Sequence, residues 1–230
     1  MEIQMITKEM VFSSDAINIF TDASISKLPH GKFLGCPGYA VVHEDTVIEY
    51  GWDIYDDTTS NNSEIKAVRL GVMAAMKYQT YNHVRLFSDS LLCILGLRER
   101  IFNWIKKIKD GMVCGYDGKP IKNQDIFLEI AYLIVDNNIR VEFYHQRGHI
   151  STANSESLLM AKEAFIEFNG IQSDVDMNLI AALSYYNNMV DDFTRQQLSK
   201  HDIVTVSDPY KFRYKPFDIT GYYNLTHNIK

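Results

Sequence analysis

The chain has 230 residues, 46% of them hydrophobic, with 23 Lys and Arg against 29 Asp and Glu and a net charge of −6. That length suits one elaborated domain, and no apolar run approaches the roughly 18 residues a membrane span needs. The acidic balance counts against a general nucleic-acid binder unless basic residues cluster locally.

Residues 1–10 carry charges and lack the apolar core of a signal peptide. Cys36, Cys93 and Cys114 form neither a disulfide framework nor a zinc pattern, so reduced thiols and a cytoplasmic location are expected. The first strand is read at Ile17 to Ser24, where β-branched residues alternate with Asn18, Phe20 and Asp22. Lys27 to Pro37, rich in Gly and Pro, reads as a loop. Gly38 to His43 and Thr46 to Trp52 read as a hairpin around Glu44-Asp45. Ile65, Val68, Val72, Ala75 and Met76 recur at helical spacing over Glu64 to Tyr78. A short strand, Val84 to Phe87, ends at Ser88-Asp89-Ser90, and Leu91 to Leu97 begins another helix.

Between Arg98 and Asp125 the composition changes: seven basic residues stand against four acidic ones, interleaved with Ile101, Phe102, Trp104 and Ile105. Such a stretch is either a solvated amphipathic segment or a phosphate-binding surface. A helix follows over Asp125 to Val135, then a strand over Arg140 to His145. Two further helices are expected at Ser155 to Phe168 and Met177 to Gln197, joined by a linker at Gly170 to Asp176. The order of elements predicts a mixed α/β sheet. The tail, His201 to Lys230, mixes Tyr and Phe with Lys and Arg; it could stack on single-stranded nucleic acid or pack on the domain, and packing is expected because aromatics dominate.

Three acidic residues stand out by position: Asp22 ends the first strand, Glu64 lies in the first turn of the first helix, and Asp89 ends the next strand. Carboxylates converging from neighbouring strand ends repel, and divalent cations remove that penalty. Mg²⁺ favours carboxylate oxygens and keeps waters for a substrate phosphate. A pair of such ions suits phosphodiester hydrolysis.

The chain here resembles the type 1 ribonuclease H family. The motifs are Phe20-Thr21-Asp22-Ala23-Ser24, Thr59-Ser60-Asn61-Asn62-Ser63-Glu64, Phe87-Ser88-Asp89-Ser90 and Arg147-Gly148-His149, in the family's order. Trp104-Ile105-Lys106-Lys107 and Asp117 to Asp125 look like its basic protrusion and the segment after it. The resemblance implies a mixed five-stranded sheet flanked by helices over 15–200. It implies a basic protrusion at 98–125; as departures from the family, 150–178 is read as a helical insertion before the last helix, or as that helix extended at its start, and 201–230 as a C-terminal extension. It makes Asp22, Glu64 and Asp89 metal ligands and His149 a mobile histidine that assists proton transfer or product release. The fourth carboxylate falls in Asn187 to Arg195, where Asp191 fits the spacing best and Asp192 is the alternative. Asn61 would contact the RNA strand and Ser90 the backbone near the metals. Trp104, Lys106, Lys107, Lys109, Lys119 and Lys122 would bind nucleic acid, while His145 is read as packing.

Two departures stand out. Asp191 lies 42 positions after His149, where the family has about ten, and the Gly-rich turn after the first strand is replaced by Ala23 to Cys36. The expected function is an endoribonuclease cutting the RNA strand of RNA–DNA hybrids with two Mg²⁺ ions, Mn²⁺ being a possible substitute, as a monomer with no membrane partner. The alternatives are a DNA nuclease of the same fold, such as a resolvase, and a non-catalytic hybrid-binding module. Clustered carboxylates argue against the latter, since negative charge facing phosphates gives a binder nothing.

Overall fold

The computed structural model describes residues 5–28, 31–56, 58–106, 108–109, 112–114, 118–200 and 219–227. After a short helix α1 (Lys8–Val11) come strands β1 (Ala16–Lys27), β2 (Phe33–His43) and β3 (Thr46–Trp52), helix α2 (Ser60–Ala75) and strand β4 (His83–Ser88). Next are α3 (Leu91–Leu95), a π-helical turn (Gly96–Arg100), α4 (Ile101–Ile105) and a small hairpin, β5 (Ile108–Lys109) and β6 (Met112–Val113). Helix α5 (Gln124–Asp136), strand β7 (Glu142–His145) and helices α6 (Ser155–Asn169), α7 (Met177–Lys200) and α8 (Ile219–Thr226) complete it. The main sheet runs β3-β2-β1-β4-β7: the first three strands are antiparallel, and β1, β4 and β7 are parallel.

Side chains of β1 alternate between two faces, both buried from Ala16 to Asp22, and this alternation decides the layers. Ile17 and Ile19 face the core that α2 and α5 cover, while Phe20 faces the one under α7. Asn18, a fully buried polar residue of β1, donates from Nδ2 to Val11 O at 2.9 Å. An aromatic ladder crosses the α7 side of the sheet. Phe12, Phe20, Phe87, Tyr144 and Phe165 stack in turn at centroid spacings of 6.5, 5.0, 5.3 and 6.3 Å. Its last rung is on α6, so that helix is anchored on the core.

Two expectations need correction. The Lys27 to Pro37 loop is largely strand: β1 continues to Lys27, β2 starts at Phe33, and Ser24 pairs with Cys36. Burial of Leu34 and Cys36 overrides the Gly and Pro composition. Helix α2 starts at Ser60, with Thr59 Oγ1 accepting from Asn62 N at 3.2 Å, so Glu64 lies in its second turn. The basic segment is built from a π turn, a short helix and a hairpin. In α2, Gly71 allows the helix onto the sheet; a Cβ there would sit 2.6 Å from Thr21 Cγ2 and 2.8 Å from Leu86 Cδ1.

Most of the tail lies outside the described residues, including Tyr210, Phe212, Lys211 and Arg213. Its described part, α8, packs behind the sheet as expected: Tyr222 is fully buried and donates to Leu97 O at 2.7 Å, and Leu225 O accepts from Val141 N at 3.1 Å. Removing a buried aromatic costs about 3–5 kcal/mol, so Tyr222→Ala should lower the urea midpoint accordingly; an unchanged midpoint would mean that α8 does not hold the domain together.

Candidate metal centre

Asp22 reaches the site because β1 outruns its pairing with β4: the parallel register ends at Thr21 and Ser88, and Asp22 and Asp89 emerge side by side just beyond it. The second turn of α2 lays Glu64 over the same point. Oxygens of Asp22, Glu64 and Asp89 all lie within 4.8 Å of one another. Asp22 is only 4% exposed. Its Oδ1 accepts from Ala23 N at 2.6 Å. Asp22 Oδ2 and Glu64 Oε2 are buried and accept no hydrogen bond.

Burial, then the charge of Asp89, raises the Asp22 carboxyl well above the usual carboxylate range. Burial, then the charge of Asp22, does the same to Glu64. Asp89 is raised by burial, with His149 pulling the other way. Buried carboxylate oxygens without donors, repelling one another, form an oxygen-rich set that fits a hard divalent cation.

Asp191 approaches from α7. It stands outside the 4.8 Å group, but its charge acts on all three members. His149 Nδ1 lies 3.4 Å from its Oδ2, and Arg195, one turn along, pairs with the same carboxylate. Asp192 is turned outward, 67% exposed at its side chain. His149 itself is 72% exposed at its side chain and has φ +53°, a left-handed backbone uncommon outside glycine. Gly148 is required by crowding: a Cβ there would lie 2.0 Å from Asp89 Oδ2.

The other expected site residues are spread more widely. Ser90 is half-buried beside the centre, its hydroxyl donating to Cys93 Sγ at 3.1 Å. Asn61, Trp104 and Lys122 line a groove of about 770 Å³ together with Thr59, Arg100 and Asn123. Trp104 is fixed there by an edge-on contact with Phe127, centroids 5.0 Å apart. Lys106 and Lys119 are exposed on the protrusion. Lys107 and the Lys109 side chain lie outside the described residues. Three residues were not singled out from sequence. Arg195 balances Asp191; Asn187, one turn before Asp191, faces Asp89; and Gln146 donates to Asn187 Oδ1 at 2.6 Å. The i−4 spacing of Asn187 and i+4 spacing of Arg195 from Asp191 are the signals that could have found two of them.

The raised carboxyls set a pH dependence for metal-free protein. A folded carboxyl whose pKa is raised holds a proton that the unfolded chain releases. Its stabilisation is present below the ordinary range near about pH 4 and is lost as pH rises through the raised values. Melting temperature in chelator should therefore fall from acid toward neutral pH, and Asp22→Asn should raise it at neutral pH and flatten the slope. Parallel slopes for the two proteins would show that these groups do not repel.

The RNase H family profile matches residues 14–166, so the match ends inside α6 and Asp191 lies beyond it. The chain is 31% identical over 155 residues to "Ribonuclease H" of Tropheryma whipplei (strain Twist), covering 65% of this chain and 89% of that protein. It is 29% identical over 140 residues to "Ribonuclease HI" of Haemophilus influenzae, covering 61% and 82%. Among solved structures, the fold is similar to the foamy viral protease-reverse transcriptase in complex with RNA/DNA hybrid. The TM-score is 0.50 at 15% identity, covering 66% of this chain and 20% of that one. With two thirds of its length matched, and with the sheet order and strand-end carboxylates described above, the chain belongs to the RNase H family.

Proposed function

We propose that the protein is an endoribonuclease that hydrolyses the RNA strand of RNA–DNA hybrids, with Mg²⁺ held by Asp22, Glu64, Asp89 and Asp191. The observation that carries this reading is the cluster of Asp22, Glu64 and Asp89, an oxygen of each within 4.8 Å of the others, with Asp22 Oδ2 and Glu64 Oε2 buried without a hydrogen-bond donor. A pair of divalent cations held there would supply an activated water and charge stabilisation at the phosphodiester.

The chain's own groups divide the remaining work. His149, exposed and next to Asp191, can reach solvent and the site alike, which suits proton transfer or product release. Asn61, exposed at the start of α2, would meet 2′-hydroxyls, the group that separates RNA from DNA. The groove between α2 and α4, with Arg100, Trp104 and Lys122, would hold the DNA strand by contacts that carry no base information. Exposed Lys106 and Lys119, with Lys107 and Lys109, would add phosphate affinity along the protrusion. The four carboxylates offer no base-reading group, which favours cutting with little sequence preference.

Cleavage of an end-labelled hybrid tests this reading. RNA-strand products should carry 5′-phosphate and 3′-hydroxyl ends; comparable cutting of all-DNA duplex would favour the resolvase-like alternative. Asp191→Asn should reduce activity far more than Asp192→Asn, because only Asp191 faces the centre. His149→Ala should slow turnover by about 10- to 100-fold without abolishing it, and full activity in that variant would remove His149 from the mechanism.

A further inference from the structure

The inserted helix α6, strand β7 and the Asp89 turn meet at His145. This residue is 6% exposed and is the last of β7, paired with Ser88, the last of β4. Its Nε2 lies 3.1 Å from the main-chain oxygen of Asp89. Its Nδ1 is buried with no partner. A ring nitrogen facing a carbonyl must carry the proton to make a hydrogen bond, and a second proton on Nδ1 would be buried without an acceptor. The geometry therefore selects the neutral ring with hydrogen on Nε2, donating to Asp89 O.

The end of α6 holds that ring in place. Asn169, its last residue, makes two hydrogen bonds to the His145 main chain: its Oδ1 accepts from His145 N at 2.8 Å, and its Nδ2 donates to His145 O at 2.7 Å. Phe168 meets the imidazole edge-on, centroids 5.1 Å apart. Arg98, in the π turn, donates to both Phe168 O and Asn169 Oδ1. From the other side, Gly148 lets the loop after β7 close onto the Asp89 carboxylate. The Asp89 turn is thus held at its main chain by a residue that the insertion itself fixes.

We propose that His145 is a positioning residue for Asp89, and that Asn169 and Phe168 at the end of α6 set its orientation. In this arrangement the inserted helix tunes the metal centre without contributing a ligand. The proposal rests on the reading of Asp22, Glu64 and Asp89 as a metal centre.

Calorimetric titration of Mn²⁺ or Mg²⁺ into the full chain, without hybrid, tests it. His145→Phe keeps the ring against Phe168 but loses the donor; His145→Gln places a donor amide near the Nε2 position. Loss of an outer hydrogen bond to a ligating residue typically weakens metal binding by 10- to 100-fold, so His145→Phe should bind about tenfold more weakly. His145→Gln should stay close to wild type, and the Mg²⁺ concentration for half-maximal cleavage should follow the same order. Wild-type affinity in His145→Phe, or a Gln variant as weak as Phe, would overturn the proposal. Should His145→Phe fail to fold, Asn169→Ala decides: weakened metal binding supports the clamp, and unchanged binding removes it. A wild-type chain that binds no divalent cation would instead overturn the metal-centre reading itself.

Discussion

Mutual repulsion between carboxylates is the constraint on which the arrangement of this molecule depends. Asp22, Glu64 and Asp89 come together at the end of the sheet with little water to screen them, and Asp191 adds a fourth charge from α7. Alone, such a cluster would push its own elements apart. The fold opposes this from behind: β1 and β4 are fully paired up to the residue before each aspartate, and α2 lies close on both strands because Gly71 has no side chain to hold it off. The stability of the hydrophobic layers is thus in part committed to holding a site that is unfavourable without cations.

The partners of these acids differ in kind. Asp22 has one backbone donor, Asp191 has Arg195, and Asp89 has His149 nearby, whereas Glu64 Oε2 and Asp22 Oδ2 face the centre bare. At larger scale, this acidic chain places exposed Arg100, Lys106, Lys119 and Lys122 along the groove and the protrusion, while exposed Arg195 pairs directly with Asp191.

Much of this could be read from sequence because the informative residues are locally odd. An Asp at the end of a β-branched run, a Ser-Asp-Ser after another, and a Glu near the start of a helical pattern each mark an end of an element, and the ends converge. What could not be read depends on tertiary contact. The Lys27 to Pro37 stretch looks like loop by composition and becomes strand because Leu34 and Cys36 find a core. The choice between Asp191 and Asp192 needs the rotation of α7, which adjacent positions in a helix do not reveal. His145 reads as a core residue because its hydrogen bond to Asp89 O crosses 56 positions of sequence.

The separation of Asp191 from its companions has a consequence during synthesis. Three of the acids are present once residue 89 has emerged, yet the fourth follows both α6 and half of α7. Contacts of such long sequence range form late, since loop closure must precede them. A nascent or truncated chain ending near residue 166 would carry the whole five-stranded sheet but lack the α7 cover of Phe20 and Phe87 and the fourth carboxylate. Assembly of the centre is thereby coupled to completion of the fold, and a ribosome-bound fragment holds only part of a nuclease.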